Sequence, residues 1–298
     1  MKYDSFIIGP VSLDVNIDCE GNVEKNVGGA VVYSGLAASQ CGWNTAVLTK
    51  ANAATCEVEP VFAGSGVHLQ CLPSQETCSI KNQYFTPDKE KRACTSMGKC
   101  DPFTVKDLEE LGEIVPSVYH FAGLVWGDFE EELFPWAAKH GKVAVDVQCL
   151  LRHVEANKTM AFHDWANKKK YLPYIDFLKT DAAEAEILTG TSDRCAAAEL
   201  LHKWGAKEIL ITHNTEVLAY NGEKFYTCPI RSRNLSGRTG RGDTTFAGYI
   251  NSRLSQDIAS SLLFATALVS LKMEKAGPFR GTRQDVEKYI CDFYTNEK

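Results

Sequence analysis

The chain predicts an α/β fold: a mostly parallel central sheet flanked by helices, carrying a small separate β-sheet as a lid. Three observations support this. From about residue 104 onward, short apolar strands alternate with amphipathic helical stretches, the pattern of a sheet covered on both faces. A buried first strand, Ser5-Phe6-Ile7-Ile8-Gly9, opens the chain and stops at Gly9-Pro10. Residues 79–85 and 92–97 are polar at alternate positions and have no helices beside them, as expected of a half-wet antiparallel sheet.

Taken in order, Val11, Leu13, Val15 and Ile17 alternate with Ser12, Asp14, Asn16 and Asp18. This is a strand with one wet face, able to join residues 79–85 and 92–97 across the Pro87-Asp88 turn region. Lid strands are thus expected within about 11–26 and 76–98. Gly28-Gly29 precedes a helix over 30–40, and 45–49 is a second core strand. Strands follow at 118–123, 143–147 and 177–179. A helix is expected over 128–139 with Asp128 as its N-cap, another over 181–188 ending before Gly190, and another over 194–204 ending at Gly205. Residues 209–212 form a strand, and Asn221-Gly222 marks a hairpin between 217–220 and 224–227. Three helices, near 243–254, 257–275 and 283–294, complete the chain. With no repeat, low-complexity stretch or linker, 1–298 reads as a single domain with a lid.

Composition narrows the function. The 298 residues are 44% hydrophobic and 23% charged, with net charge -6. The acidic balance argues against a nucleic-acid partner, which wants a basic face. Lys168-Lys169-Lys170 is the one dense basic run and reads as a solvated helix face. No apolar run approaches the roughly 20 residues that span a bilayer. No secretory signal is visible, so a cytoplasmic protein without a membrane partner is expected. The eleven cysteines form no C-x-x-C pair, which leaves a thiolate zinc site unsupported. They read as reduced thiols, many of them buried.

Chemistry concentrates in Ser236-Gly237-Arg238-Thr239-Gly240-Arg241-Gly242-Asp243-Thr244-Thr245. A glycine-rich turn runs directly into an apolar helix. Free N–H groups at a helix N-terminus attract anions, and glycine lets the backbone approach a phosphate. Beside a transferable phosphoryl group, Asp243 is a candidate general base. The local pattern also admits a plain N-cap on a turn. Arg-Gly-Asp is an adhesion tripeptide too, though here it opens a buried-looking helix.

This segment resembles the second signature of the ribokinase-like carbohydrate kinases, the PfkB family, whose pattern is close to Asp-Thr-x-Gly-Ala-Gly-Asp. Gly28-Gly29 with the helix to Gly42 is similar to the first signature. Asp181-Ala182-Ala183-Glu184, between Lys179 and Gly190, echoes the Asn-x-x-Glu motif. The resemblance extends over nearly the whole chain and implies a three-layer ribokinase-like fold. It implies transfer of the γ-phosphoryl group of ATP to a hydroxyl of a small polyol or sugar, with Mg²⁺. Asp243 would take the hydroxyl proton, and the N–H groups of Gly240, Arg241 and Gly242 would form the anion hole. Glu184 would help hold Mg²⁺ through water, with Lys179, Asp181 and Thr212 on the ATP side. Asp14 would accept hydrogen bonds from substrate hydroxyls, beside Gly28 and Gly29. Lids of this family often meet across a dimer, so a homodimer through the lid is compatible with the sequence.

Several positions depart from the family pattern. Arg241 replaces the usual Ala of the anion hole. Gly237 stands where many members carry an Asp linked to a monovalent-cation site, which puts potassium activation in doubt. Tyr33 replaces the sugar-binding Asn of ribokinases, and Asn214 replaces a Gly of the nucleotide site. Asp146-Val147-Gln148 with Arg152 lies at a strand's carboxyl end, where α/β ligands bind. With Gly277-Pro278-Phe279, these residues resemble the myo-inositol kinase branch. Gln148, Arg152 and lid residue Arg92 are candidate polyol ligands, each with a structural alternative. Myo-inositol or a related cyclitol is the expected acceptor. A fructose- or ribose-type sugar, a nucleoside, or a catalytically silent binding role are the alternatives.

Overall fold

A computed structural model describes residues 2–86, 92–112 and 114–295, and the Pro87-Asp88 turn falls outside them. Among the described residues there are fifteen strands: β1 (Lys2–Ile8), β2 (Ser12–Ile17), β3 (Val23–Gly28), β4 (Thr45–Ala51), β5 (His68–Pro73), β6 (Cys78–Tyr84), β7 (Arg92–Gly98), β8 (Val115–Phe121), β9 (Lys142–Asp146), β10 (Arg152–Val154), β11 (Met160–Phe162), β12 (Phe177–Asp181), β13 (Glu208–Thr212), β14 (Glu216–Tyr220) and β15 (Phe225–Pro229). Nine of them form one sheet in the order β15-β14-β13-β12-β9-β8-β1-β4-β5. Pairing is parallel from β5 to β13. It turns antiparallel only at the β13-β14-β15 edge, where Asn221 and Gly222 close the expected hairpin.

Successive strands build outward from β1 in both directions, first to β4 and β5, then to β8 and beyond. The carboxyl ends of β1 and β8 therefore flank a reversal of strand order, where open α/β sheets form their binding crevice. Alternation along the strands fills both faces. Phe6, Ile8, Phe121 and Val145 pack with helices Leu133–Ala137, Ala182–Thr189 and Arg194–Lys203. Ile7 and Val47 pack with helix Ala30–Gln40. Val118 and Ala144 pack with helices Arg241–Ser252 and Ile258–Lys272.

The lid is a four-stranded sheet in the order β3-β2-β6-β7. Its β3 falls mostly within the expected lid range 11–26, where only 11–18 was assigned as a strand, and the edge strand β5 was not expected; β3 is mostly exposed and β5 only partly buried. The β10-β11 hairpin was also missed; its strands are three residues each.

Two sequence expectations are corrected. The helix expected over 128–139 is only Leu133–Ala137, and Asp128 does not cap it. Asp128 is instead fully buried, accepting the N–H groups of Leu124 and Val125 at 2.6 and 2.9 Å. An Asp that ties its own preceding loop is indistinguishable in sequence from an N-cap. Lys168 is not simply solvated. It bonds to Asp164 and to the Leu188 carbonyl, and it lies 5.2 Å from the Trp204 ring centre.

Candidate active site

Helix Arg241–Ser252 carries the centre. Its N-cap, Gly240, has φ 74, the left-handed region that glycine enters freely. A Cβ at Gly240 would also lie 2.1 Å from Tyr33 Cδ1. Backbone conformation and the Tyr33 ring therefore both demand glycine here. Asp243 sits in the first helical turn, half-buried. Helix Ala30–Gln40 approaches it: the Ser34 hydroxyl donates to the Asp243 carbonyl at 3.3 Å.

Burial pushes the Asp243 carboxyl up to about 6. The negative charge of Asp146 adds to the effect, against the pull of Lys179, Lys272 and Arg152. A carboxylate poised near neutrality, at the edge of an anion-attracting helix terminus, suits proton abstraction from a hydroxyl.

Lys179 is 5% exposed, midway along β12. Its Nζ lies 2.9 Å from Asp146 Oδ2 and 4.0 Å from Glu184 Oε2. Burial alone would lower its pKa, but Asp146, Glu184, Asp243 and Asp181 outweigh burial and hold the ammonium charged. A Cβ on Gly242 would meet this Nζ at 3.1 Å, so Lys179 lies directly against the glycine turn.

Asp181 and Glu184 form a reciprocal cap on helix Ala182–Thr189: Glu184 N–H donates to Asp181, and Asp181 N–H donates to Glu184 Oε2, each at 2.8 Å. Burial raises the Glu184 pKa, with Lys179 opposing. Among the described residues no three or more His, Cys, Asp or Glu side chains form a metal cage. Glu184 does stand among Asp146, Asp181 and Lys179. Hard oxygen donors with surplus negative charge suit a Mg²⁺ that keeps most of its waters and binds through one or two carboxylates plus phosphates.

On the lid side, Asp14 accepts the Ser12 hydroxyl at 2.6 Å. A Cβ at Gly28 would come within 2.9 Å of its Oδ2. Burial raises the Asp14 pKa, opposed by the Ser12 hydrogen bond and by Arg92 and Arg152. Gly29, with φ 107, starts helix Ala30–Gln40, and its Cβ would meet the Pro10 carbonyl at 2.6 Å. Arg152 is buried, its Nε donating to Leu124 O at 2.7 Å. Its charge acts on both Asp14 and Asp243, so it links lid and cradle. Arg92 is exposed on β7, with Nη1 3.4 Å from the Tyr84 hydroxyl.

Two expected residues stand further from the charged centre. Gln148 is half-buried and uses its N–H to bond Asp146 Oδ1 at 3.1 Å, so Asp146 is the charged group at that turn. Thr212 ends β13 in register with Asp181, with Oγ1 3.5 Å from Thr180 O. Arg241 is half-buried at the helix start.

Sequence reasoning passed over Lys272, and it quoted Asp146 at a strand's carboxyl end without assigning it a role. Lys272 carried a signal: it is the one charged residue of helix Ile258–Lys272. Asp146 had a weaker one, the carboxyl end of a core strand.

The model of the pfkB family carbohydrate kinases matches residues 8–283. The chain belongs to the PfkB family of carbohydrate kinases. It is a phosphotransferase that uses an alcohol group as acceptor. Among solved structures, a sulfate complex of a pyrophosphate-dependent kinase in the ribokinase family is 36% identical with TM-score 0.86, covering 95% of this chain and 99% of that one. A pyrophosphate-dependent kinase of that family, complexed with a pyrophosphate analog and myo-inositol, is 35% identical with TM-score 0.85 over 95% and 99%. A cytidine kinase of Thermococcus kodakarensis is 26% identical over 272 residues, 83% of this chain and 87% of that protein. Among the described residues no helix is long and apolar enough to cross a membrane.

Proposed function

We propose that this PfkB-family protein phosphorylates a hydroxyl of a cyclitol of the myo-inositol type, with Asp243 as the general base. The observation that carries this reading is the placement of Asp243 in the first turn of helix Arg241–Ser252, directly after the Gly240 turn, where the charges of Lys179, Lys272 and Arg152 act on it. Asp14 and Arg152 would grip neighbouring hydroxyls of the acceptor and aim one at Asp243. The N–H groups of Gly240 and Gly242 would hold the transferring phosphoryl oxygens, assisted by Lys179; the Arg241 N–H, expected in the same role, donates instead to the Arg238 carbonyl at 3.3 Å. Transfer would be in-line and direct, with the lid keeping water away as a competing acceptor.

Mg²⁺ would be held by Glu184 through water and would neutralise donor phosphate charge. Sequence analysis expects ATP as donor. The resemblance to two pyrophosphate-dependent kinases, and Asn214 in place of a nucleotide-site Gly, favour pyrophosphate instead.

The test is phosphorylated-product formation from a panel of myo-inositol, other cyclitols, ribose, fructose and cytidine, with pyrophosphate and ATP in parallel. Turnover of myo-inositol with pyrophosphate supports the reading. Turnover of cytidine alone replaces it with a nucleoside kinase. A ligand that raises the melting temperature without any turnover identifies a silent binding protein.

A further inference from the structure

The loop ahead of the cradle is anchored by a group that the phosphoryl-transfer scheme does not use. Lys272, the last residue of helix Ile258–Lys272, is 2% exposed. Its ammonium donates to the Gly237 carbonyl at 2.6 Å and to the Thr239 carbonyl. It lies 5.1 Å from the Tyr33 ring centre. These partners are carbonyl oxygens and an aromatic face, so among the described residues the positive charge is buried without an ion-pair partner in contact. Such a charge is costly to keep. The negative side chain that acts on it is Asp243, on helix Arg241–Ser252. The other titratable group facing it is Tyr33, on helix Ala30–Gln40.

The backbone around Gly237 is equally fixed. Its N–H donates to the Met273 carbonyl at 2.7 Å, and a Cβ there would lie 1.8 Å from the Lys275 carbonyl. No side chain fits at position 237, so residue 237 cannot supply a carboxylate to a cation. Carbonyls turned toward one positive charge are what a bound monovalent cation would otherwise receive, and here the ammonium receives them.

We infer that Lys272 is a positioning residue: its ammonium is a built-in cation that fixes residues 237–239, aims the Gly240 and Gly242 N–H groups at the donor phosphate, and makes the cradle independent of soluble monovalent cations. This rests on the phosphoryl-transfer reading of the same site. It deepens that reading by naming the charge that holds the cradle in shape. A purely structural Lys272, capping the end of its helix, would affect stability alone.

Sulfate is the anion probe, because it does not titrate in the working range. Three measurements on the full chain test the inference. Wild-type turnover should agree within about twofold between potassium chloride and choline chloride at equal ionic strength. Wild-type sulfate affinity should fall as pH rises through about 8, where burial brings the Lys272 ammonium to its titration point. Lys272→Met should weaken sulfate binding and lower kcat by ~10²-fold, the scale of losing one preorganised oxyanion contact, and should remove that pH dependence. Lys272→Arg, which keeps the charge, should recover part of the loss.

If Lys272→Met does not fold, the two wild-type measurements decide. A strong potassium requirement, a sulfate affinity flat through pH 8, or a folded Lys272→Met with wild-type affinity each overturns the inference while leaving the kinase reading in place. A wild type that neither binds sulfate nor turns over any acceptor removes the kinase reading, and this inference with it.

Discussion

At the scale of single residues, the proposed function assigns proton transfer to Asp243. Asp243→Asn keeps the shape but not the base, and kcat should fall by roughly 10²–10⁴, the usual contribution of a positioned base. A rate near wild type in steady-state turnover would exclude Asp243 as the base. The pH dependence has a definite sign. A base whose pKa is raised to about 6 is protonated and inactive below that value. The acidic limb of kcat/KM should therefore rise through about pH 6 rather than near 4, and Asp243→Asn should abolish it. His120 adds no second limb: burial drives its pKa down to about 3, and it packs edge-on against Phe246 as a neutral ring. The position of Asp243 at a helix start after a glycine turn was legible in the sequence, although the local pattern alone also admitted a plain N-cap. Lys272 showed only as a lone charge on an apolar helix; its role was not legible, because its partners are backbone carbonyls 33 and 35 positions away in the chain.

At the scale of elements, the cradle depends on one glycine and the lid on a row of side chains. Gly240→Ala places a Cβ into the Tyr33 ring and forces a left-handed residue, a conformation costing about 1–2 kcal/mol by itself. Thermal unfolding should show that loss, and sulfate affinity should fall with it. On the lid, register places Asp14 beside Ile80, and Asn16 beside Asn82 and then Cys94, so Asp14, Asn16, Asn82 and Cys94 share one face. Asn82 Nδ2 donates to Asn16 at 3.1 Å, and the Cys94 thiol donates to Asn82 at 3.3 Å. This polar row continues from Asp14, where the proposed function puts the acceptor. Asn82→Leu should raise the acceptor KM about tenfold, the worth of one buried hydrogen bond. It should alter kcat less and change the distribution of phosphorylated hydroxyls, read by product NMR. An unchanged KM and product pattern would place the row outside the acceptor site. Sequence alternation identified β2, β6 and β7. It could not show which face turns inward, since slipping one residue exchanges the faces.

At the scale of the molecule, the site is a meeting of distant segments: the lid, the carboxyl ends of β9 and β12, and the turn at Gly240. Acceptor and anion each bind the folded state only, so each should raise the melting temperature. At a hundredfold excess over Kd, each adds ~2.7 kcal/mol to stability, a shift of several degrees in differential scanning fluorimetry. If the lid closes over both, their shifts together should exceed the sum of the separate ones, and additive shifts would argue for independent subsites.

By itself the sequence determined the fold class, the alternating parallel core and the glycine-turn-helix with Asp243. Each is written in local periodicity, caps and turns, which neighbouring residues control. Only the tertiary structure decided how charge is shared. It set Lys179 between Asp146 and Glu184, carried the influence of Arg152 to both lid and base, closed residues 237–239 around the Lys272 ammonium, and withdrew Asp128 from a helix cap into a buried loop. Those outcomes depend on which residues burial brings within a few ångströms of one another, and burial and Coulomb coupling act through space rather than along the chain.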